Sequence, residues 1–162
     1  SDGTIGSYNG ATWQLSNNAG ITAGNWYYLT WTLTGGNIYY YVNGTPYGSS
    51  PFSYTDNSAH NVFFGSWYAS TGYDLDGYLD EVALYNRALT QEEIQANMDT
   101  KLQGNEDGLV LYHSFDDGTA TDNSPNNNNG VISVASSRLD GLLNDNFTQL
   151  SLQGYTTDTW VD

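Results

Sequence analysis

Residues 75–98, LDGYLDEVALYNRALTQEEIQANM, decide the fold. Leu79, Val82 and Leu84 are apolar, with the carboxylates Asp80 and Glu81 set among them, and together they read as a strand. Asn86-Arg87-Ala88-Leu89 leads away from it. Thr90 has the chemistry of a helix N-cap, and Glu93, three residues on, is its capping-box partner. The helix that follows is brief and turns Ile94 and Met98 inward. No second helix of comparable quality is written elsewhere in the chain, so this stretch predicts an all-β protein carrying one short helix.

Working outward, Trp26, Tyr28 and Thr30 alternate with Tyr27, Leu29 and Trp31. Both faces of that strand are bulky, as inside a two-sheet antiparallel sandwich. Trp13 and Leu15, two apart, share a strand face, and Asn17-Asn18-Ala19-Gly20 is a turn. Trp13, Trp26 and Trp31 are assigned to the core. Gly35-Gly36 signals a hairpin. Ile38, Tyr40 and Val42 then oppose Tyr39 and Tyr41, and Asn43-Gly44 makes the next tight turn. Pro46 and Pro51 bound a loop-like stretch. Residues 61–67 read as a strand with Gly65 at a bulge or close approach, and residues 69–72 as a loop. Residues 103–107 look like a linker. Leu109, Leu111, His113 and Phe115 form a strand, residues 126–129 a low-complexity loop, and Val131, Ile132 and Val134 a short strand. Residues 160–162 begin another. Short strands punctuated by turns predict a sandwich.

A chain of 162 residues suits one domain and contains no cysteine. It begins at Ser1 with no signal peptide or transmembrane run, which reads as a piece of something longer. Eighteen acidic residues face three basic ones, Arg87, Lys101 and Arg138, for a formal net charge of −15. That balance argues against nucleic acid, whose phosphates nothing would neutralise, and against anionic membranes. It fits solubility in salty surroundings or attraction of calcium. Abundant Tyr, Gly, Asn and Thr with sparse Leu and Ile is the composition of a β-rich adhesive or glycan-binding surface.

The opening stretch resembles the closing signature of the laminin-G-like, concanavalin A-like jelly-roll domains of secreted bacterial and archaeal proteins. Gly24-Asn25-Trp26-Tyr27-Tyr28-Leu29-Thr30-Trp31 and Ile38-Tyr39-Tyr40-Tyr41-Val42-Asn43-Gly44 resemble two internal strands of that family. Gly108-Leu109-Val110-Leu111-Tyr112-His113-Ser114-Phe115-Asp116-Asp117 resembles its opening strand, and Asp122-Asn123-Ser124 through Gly130 the loop after it. The order is inverted, because the closing segment comes first. Residues 1–103 thus resemble the C-terminal part of such a jelly roll and residues 104–162 the N-terminal part. Three arrangements compete: a window cut from a tandem array, a circular permutant, or halves completed by neighbouring subunits. A half sandwich leaves long strand edges open, which favours one complete fold, permuted within the chain or shared between chains.

The resemblance implies a structural calcium ion at Asp80. Asp116, Asp117, Asp122 and Asn123 would supply the further oxygens such an ion requires. The local alternative is that Asp80 and Glu81 cap or pair nearby, for instance with Arg87. Trp67, Tyr68, Tyr73 and Tyr47 lie in or beside loops and are the candidate sugar-stacking rings, against the commoner fate of rings as core or cross-strand packing. Glycosidases of this fold need two carboxylates across a cleft. Asp74, Asp76 and Asp80 lack the E-x-D-x-x-E spacing, and His60 and His113 lack a nucleophile motif. Asn43-Gly44-Thr45 and Asn146-Phe147-Thr148 match the glycosylation acceptor pattern. The expectation is an extracellular or cell-surface, non-catalytic carbohydrate-binding or adhesion module stabilised by calcium. Its partner is a glycan, and it has neither a nucleic-acid partner nor a membrane insertion. The alternative is a structural subunit of a surface fibre that self-assembles by strand exchange, and more distantly a polysaccharide hydrolase.

Overall fold

A computed structural model of the chain describes residues 3–53, 62–66 and 75–132, together with the backbone of Ser151–Gln153. The fold is all-β, built from antiparallel sheets consistent with a jelly-roll sandwich, with one short helix among the described residues. The chain divides into two compact units. The first comprises Ser1–Val62, Arg87–Lys101 and Thr157–Asp162, and the second Phe63–Asn86 and Leu102–Thr156.

The first unit contains β1 (Gly6–Tyr8), β2 (Trp13–Leu15), β3 (Leu29–Thr34), β4 (Asn37–Val42), β5 (Thr45–Pro51) and α1 (Gln91–Met98). β1 and β2 pair as a hairpin, and β3, β4 and β5 form a sheet with β4 in the centre. The two tight turns follow from chemistry. Gly35 and Gly36 connect β3 to β4 with φ of 58° and 74°, and Asn43 and Gly44 connect β4 to β5 with φ of 49° and 69°. These are the positive-φ pairs a twisted two-residue hairpin requires. Strict alternation on β4 buries Ile38, Tyr40 and Val42, which join Ile5 and Ile21 in the core. Ala19, Tyr27, Leu29, Trp31, Tyr47 and Phe52 pack around them.

Residues 45–51 are a strand rather than a loop. The two prolines are tolerated because β5 is the sheet edge, where a missing N–H costs no ladder bond. Of the tryptophans assigned to the core, only Trp31 packs there; Trp13 and Trp26 are exposed. Trp26 precedes β3, whose pairing starts at Leu29, so its alternation with Tyr28 never becomes sheet alternation.

The helix begins as its capping box predicts. Thr90 Oγ1 accepts from Glu93 N at 3.3 Å, and Glu93 Oε2 accepts from Thr90 N at 2.7 Å. Ile94 is fully buried. Gln91 and Gln95 both donate to Gly44 O, at 3.2 Å each, which fixes the helix over the Asn43-Gly44 turn.

The second unit contains β6 (Asp76–Tyr78), β7 (Val82–Tyr85), β8 (Leu109–His113) and β9 (Ser151–Gln153). β6 pairs with β9, and β7 with β8, both antiparallel. The closing-type strand is not continuous. Glu81 takes φ of 53°, the left-handed region that L side chains rarely adopt, and this kink separates β6 from β7. The register Val82↔His113 and Leu84↔Leu111 sets the opening-type strand beside the closing-type strand in one chain. The second unit draws on residues from both sides of position 103. Val131 and Ile132 lie outside any strand, with Val131 exposed. Residues 62–66 hold only an isolated bridge at Ser66 rather than the expected strand, although Gly65 has the positive φ of a close approach, 75°. Val134, the Asn146 acceptor pattern and residues 160–162 fall outside the described residues.

Candidate functional site

The carboxylates proposed for calcium all belong to the second unit, and each has its own environment. Asp122 is buried. Its Oδ1 accepts from Tyr112 N and Ser124 N, both at 2.9 Å, and its Oδ2 accepts from Ser124 Oγ at 2.8 Å and Asn128 N at 2.7 Å. Burial would raise its pKa, but the bonds from Tyr112, Ser124 and Asn128 outweigh that and hold it below the ordinary carboxylate value. Four N–H and O–H donors make this carboxylate a clamp for residues 122–128. Asp117 is exposed, and its Oδ1 accepts from Thr119 N at 2.9 Å and Thr119 Oγ1 at 2.6 Å. Asp80 is exposed and its Oδ1 accepts from Glu81 N at 3.1 Å. Asp116 and Asn123 are exposed. Among the described residues no three Asp, Glu or His side chains gather as a metal-binding group.

Arg87 is engaged by the helix of its own unit. Its guanidinium grips Glu93 with two parallel bonds, Nη1 to Oε2 at 2.9 Å and Nη2 to Oε1 at 2.7 Å. The hydrogen bonds from Arg87, then from Thr90 N, hold Glu93 down at a pKa of about 2. The kinked Glu81 accepts a hydrogen bond from Tyr112 Oη. Burial, and then the Glu81 carboxylate, push the Tyr112 hydroxyl well above its usual value, so it stays a donor. His113, next on β8, is buried with Nδ1 3.1 Å from Thr121 O and its ring against Phe64 and Phe115.

Of the candidate sugar-stacking rings, Tyr47 is half-buried and packs against the core of the first unit. Trp67, Tyr68 and Tyr73 lie outside the described residues. Among the described residues of the first unit the exposed rings are Tyr8, Trp13 and Trp26, at 40, 52 and 59% exposure, and two of them, Trp13 and Trp26, are the ones the sequence assigns to the core. Tyr8 and Trp13 face each other across the β1–β2 hairpin with ring centroids 5.4 Å apart. A signal for them was present in the charge pattern. All eighteen acids and all three basic residues lie at position 2 or from position 56 onward, so residues 3–55 carry no charged side chain. The exposed tryptophans fall inside that neutral stretch.

Among described residues no helix is long and apolar enough to cross a membrane. A family model described as the concanavalin A-like lectin/glucanases superfamily matches residues 2–95. No curated protein matches the chain. A crystal structure of an S-layer domain-containing protein (residues 221–444) from Clostridium thermocellum ATCC 27405 aligns with a TM-score of 0.44 and 22% identity, covering 57% of this chain. The alignment spans 47% of that structure's length, about half.

Proposed function

The chain belongs to the concanavalin A-like lectin/glucanase superfamily, and from that premise we propose that it is an extracellular, non-catalytic module that binds a neutral glycan and serves adhesion. The observation that carries this reading is the exposure of Trp13 and Trp26 within a stretch, residues 3–55, that has no charged side chain. Aromatic rings offer apolar faces to the C–H faces of sugars while their surroundings stay wet. A molecule of net charge −15 repels acidic polysaccharides, so a neutral polymer is the fitting ligand.

The non-catalytic part of this reading draws on two carboxylates among the described residues. A glycosidase acid needs a raised pKa so that it carries a proton to the leaving group. Glu93 and Asp122 are both held low by donors from their own unit.

A fibre subunit built by strand exchange is the second reading, and the β7–β8 ladder bears on it. That ladder forms within one chain, which supports pairing inside the chain over exchange with a neighbour. The experiment is sedimentation of the protein with insoluble neutral and acidic polysaccharides, combined with assay of released reducing ends. Retention on a neutral polymer with no release is expected. Retention on none, or release of sugar, overturns the reading.

A further inference from the structure

Building on the glycan-binding reading, we propose that the β1–β2 hairpin is the stacking platform, and that it takes an unbranched, uncharged polysaccharide whose rings present flat C–H faces, as β-linked sugars with equatorial hydroxyls do. Tyr8 and Trp13 are a cross-strand pair on one face of the hairpin, with rings tilted 44°. Leu15 continues that face opposite Gly6. Gly6 is what keeps the strip open. A Cβ there would stand 2.7 Å from Leu15 Cδ2 and 3.5 Å from Trp13 Cε3, so both side chains lie over the bare glycine backbone. The result is a run of apolar surface, Tyr8 to Trp13 to Leu15, with all three residues at 40% exposure or more.

The platform is held from behind, which is what a binding surface needs to avoid an ordering cost. Tyr40, wholly buried, donates its hydroxyl to Gln14 O at 2.8 Å. Ser16 N donates to Ile5 O at 2.8 Å, and Ser16 Oγ accepts from Ile5 N at 3.0 Å. The distal turn is closed by Asn9 Oδ1, which accepts from Ala11 N and Thr12 N.

Charge selects the occupant. The strands of the hairpin carry no cation for an acidic sugar and no anion for a basic one, because residues 3–55 contain no charged side chain. A second copy of the chain would bring another net −15 to the same place, a repulsion that works against self-association. An uncharged polymer with apolar ring faces meets neither obstacle.

The test is titration of the full chain, followed by intrinsic tryptophan fluorescence and calorimetry, with soluble cello- and xylo-oligosaccharides and, as an acidic control, oligogalacturonate. Binding of a neutral oligosaccharide but not of oligogalacturonate is expected. Trp13→Ala should bind that sugar about tenfold or more weakly. Trp13→Phe, which keeps a ring and tests folding through an unchanged melting temperature, should recover most of the affinity. Tyr78→Ala, at an exposed ring of the second unit, should bind as the parent does. Should no neutral oligosaccharide or polymer bind the parent, the glycan reading itself falls. If the parent binds and Trp13→Ala and Tyr8→Ala bind equally well, only the hairpin assignment falls. A hairpin-dependent dimer formed without sugar, seen in sedimentation velocity and lost in Trp13→Ala, also overturns it in favour of a second copy as occupant.

Discussion

Asp122 shows how one side chain can organise a loop that sequence reads as shapeless. Its two oxygens receive four donors, three of them backbone N–H groups. Removing a buried acceptor leaves those donors with nothing to bond, which costs far more than the net worth of the bonds. Asp122→Ala should therefore destabilise the second unit by about 3 kcal/mol or more, read as a lower denaturation midpoint. Asp122→Asn keeps one acceptor oxygen and should cost less. Were the carboxylate a calcium ligand in solution, the Ala variant would instead match the parent once both are stripped by a chelator, and that comparison separates the two roles. The identity of Asp122 as a special residue was legible in the Asp122-Asn123-Ser124 pattern. Its role was not, since a carboxylate wrapped in N–H groups and one wrapped around a cation look alike as letters.

At the scale of elements, the helix and the two tight turns were readable because their causes are local. The Thr90–Glu93 box and the Asn43-Gly44 and Gly35-Gly36 turns each need only neighbours in sequence. The exposure of Trp13 was unreadable for the opposite reason. Trp13 and Leu15 share a face, as their spacing says, but which way that face points depends on where the hairpin docks. Two predictions belong here. Glu93 has its folded pKa lowered from 4.5 to about 2, so it contributes stability above its unfolded value that is lost as pH falls from about 4.5 toward 2. Melting temperature across that window should fall less steeply in Glu93→Gln than in the parent, and Arg87→Ala should flatten it in the same direction. Gly44 has φ of 69°, and a Cβ on it would sit 2.7 Å from Gln95 Cγ under the helix. Gly44→Ala should cost about 1–2 kcal/mol by chemical denaturation, from the backbone conformation alone. Pairing it with Gln95→Ala should remove only the steric part.

At the scale of the whole molecule, the inverted order of the closing-type and opening-type segments was plain in the sequence, while their pairing was not, because strand partners far apart leave no local mark. The ladder Val82↔His113, Ala83↔Tyr112, Leu84↔Leu111 answers it for this chain. The other edge of β8 is also satisfied, by the asparagine-rich loop. Asn126 and Asn128 donate to Val110 O at 3.0 and 2.9 Å, Asp122 accepts from Tyr112 N at 2.9 Å, and Asn123 N donates to Tyr112 O at 2.7 Å. The low-complexity run thus takes the place of a neighbouring strand and closes an edge that would otherwise recruit one. It follows that β7 depends on β8 for its ladder, Glu81 depends on it for the Tyr112 hydroxyl, and β8 depends on its own loop for its outer edge. A chain ended after Gln103 should lose all of this at once: β7 would present a bare edge, and a carboxylate in a left-handed backbone position would lose its donor. Such a chain should aggregate or self-associate on size exclusion, and co-expression with residues 104–162 should return it to a defined species with the parent's melting temperature. A truncated chain that stays monomeric and melts like the parent would mean that the closing-type segment stands without the opening-type strand, and that the inverted order is an accident of neighbouring repeats rather than a condition of folding.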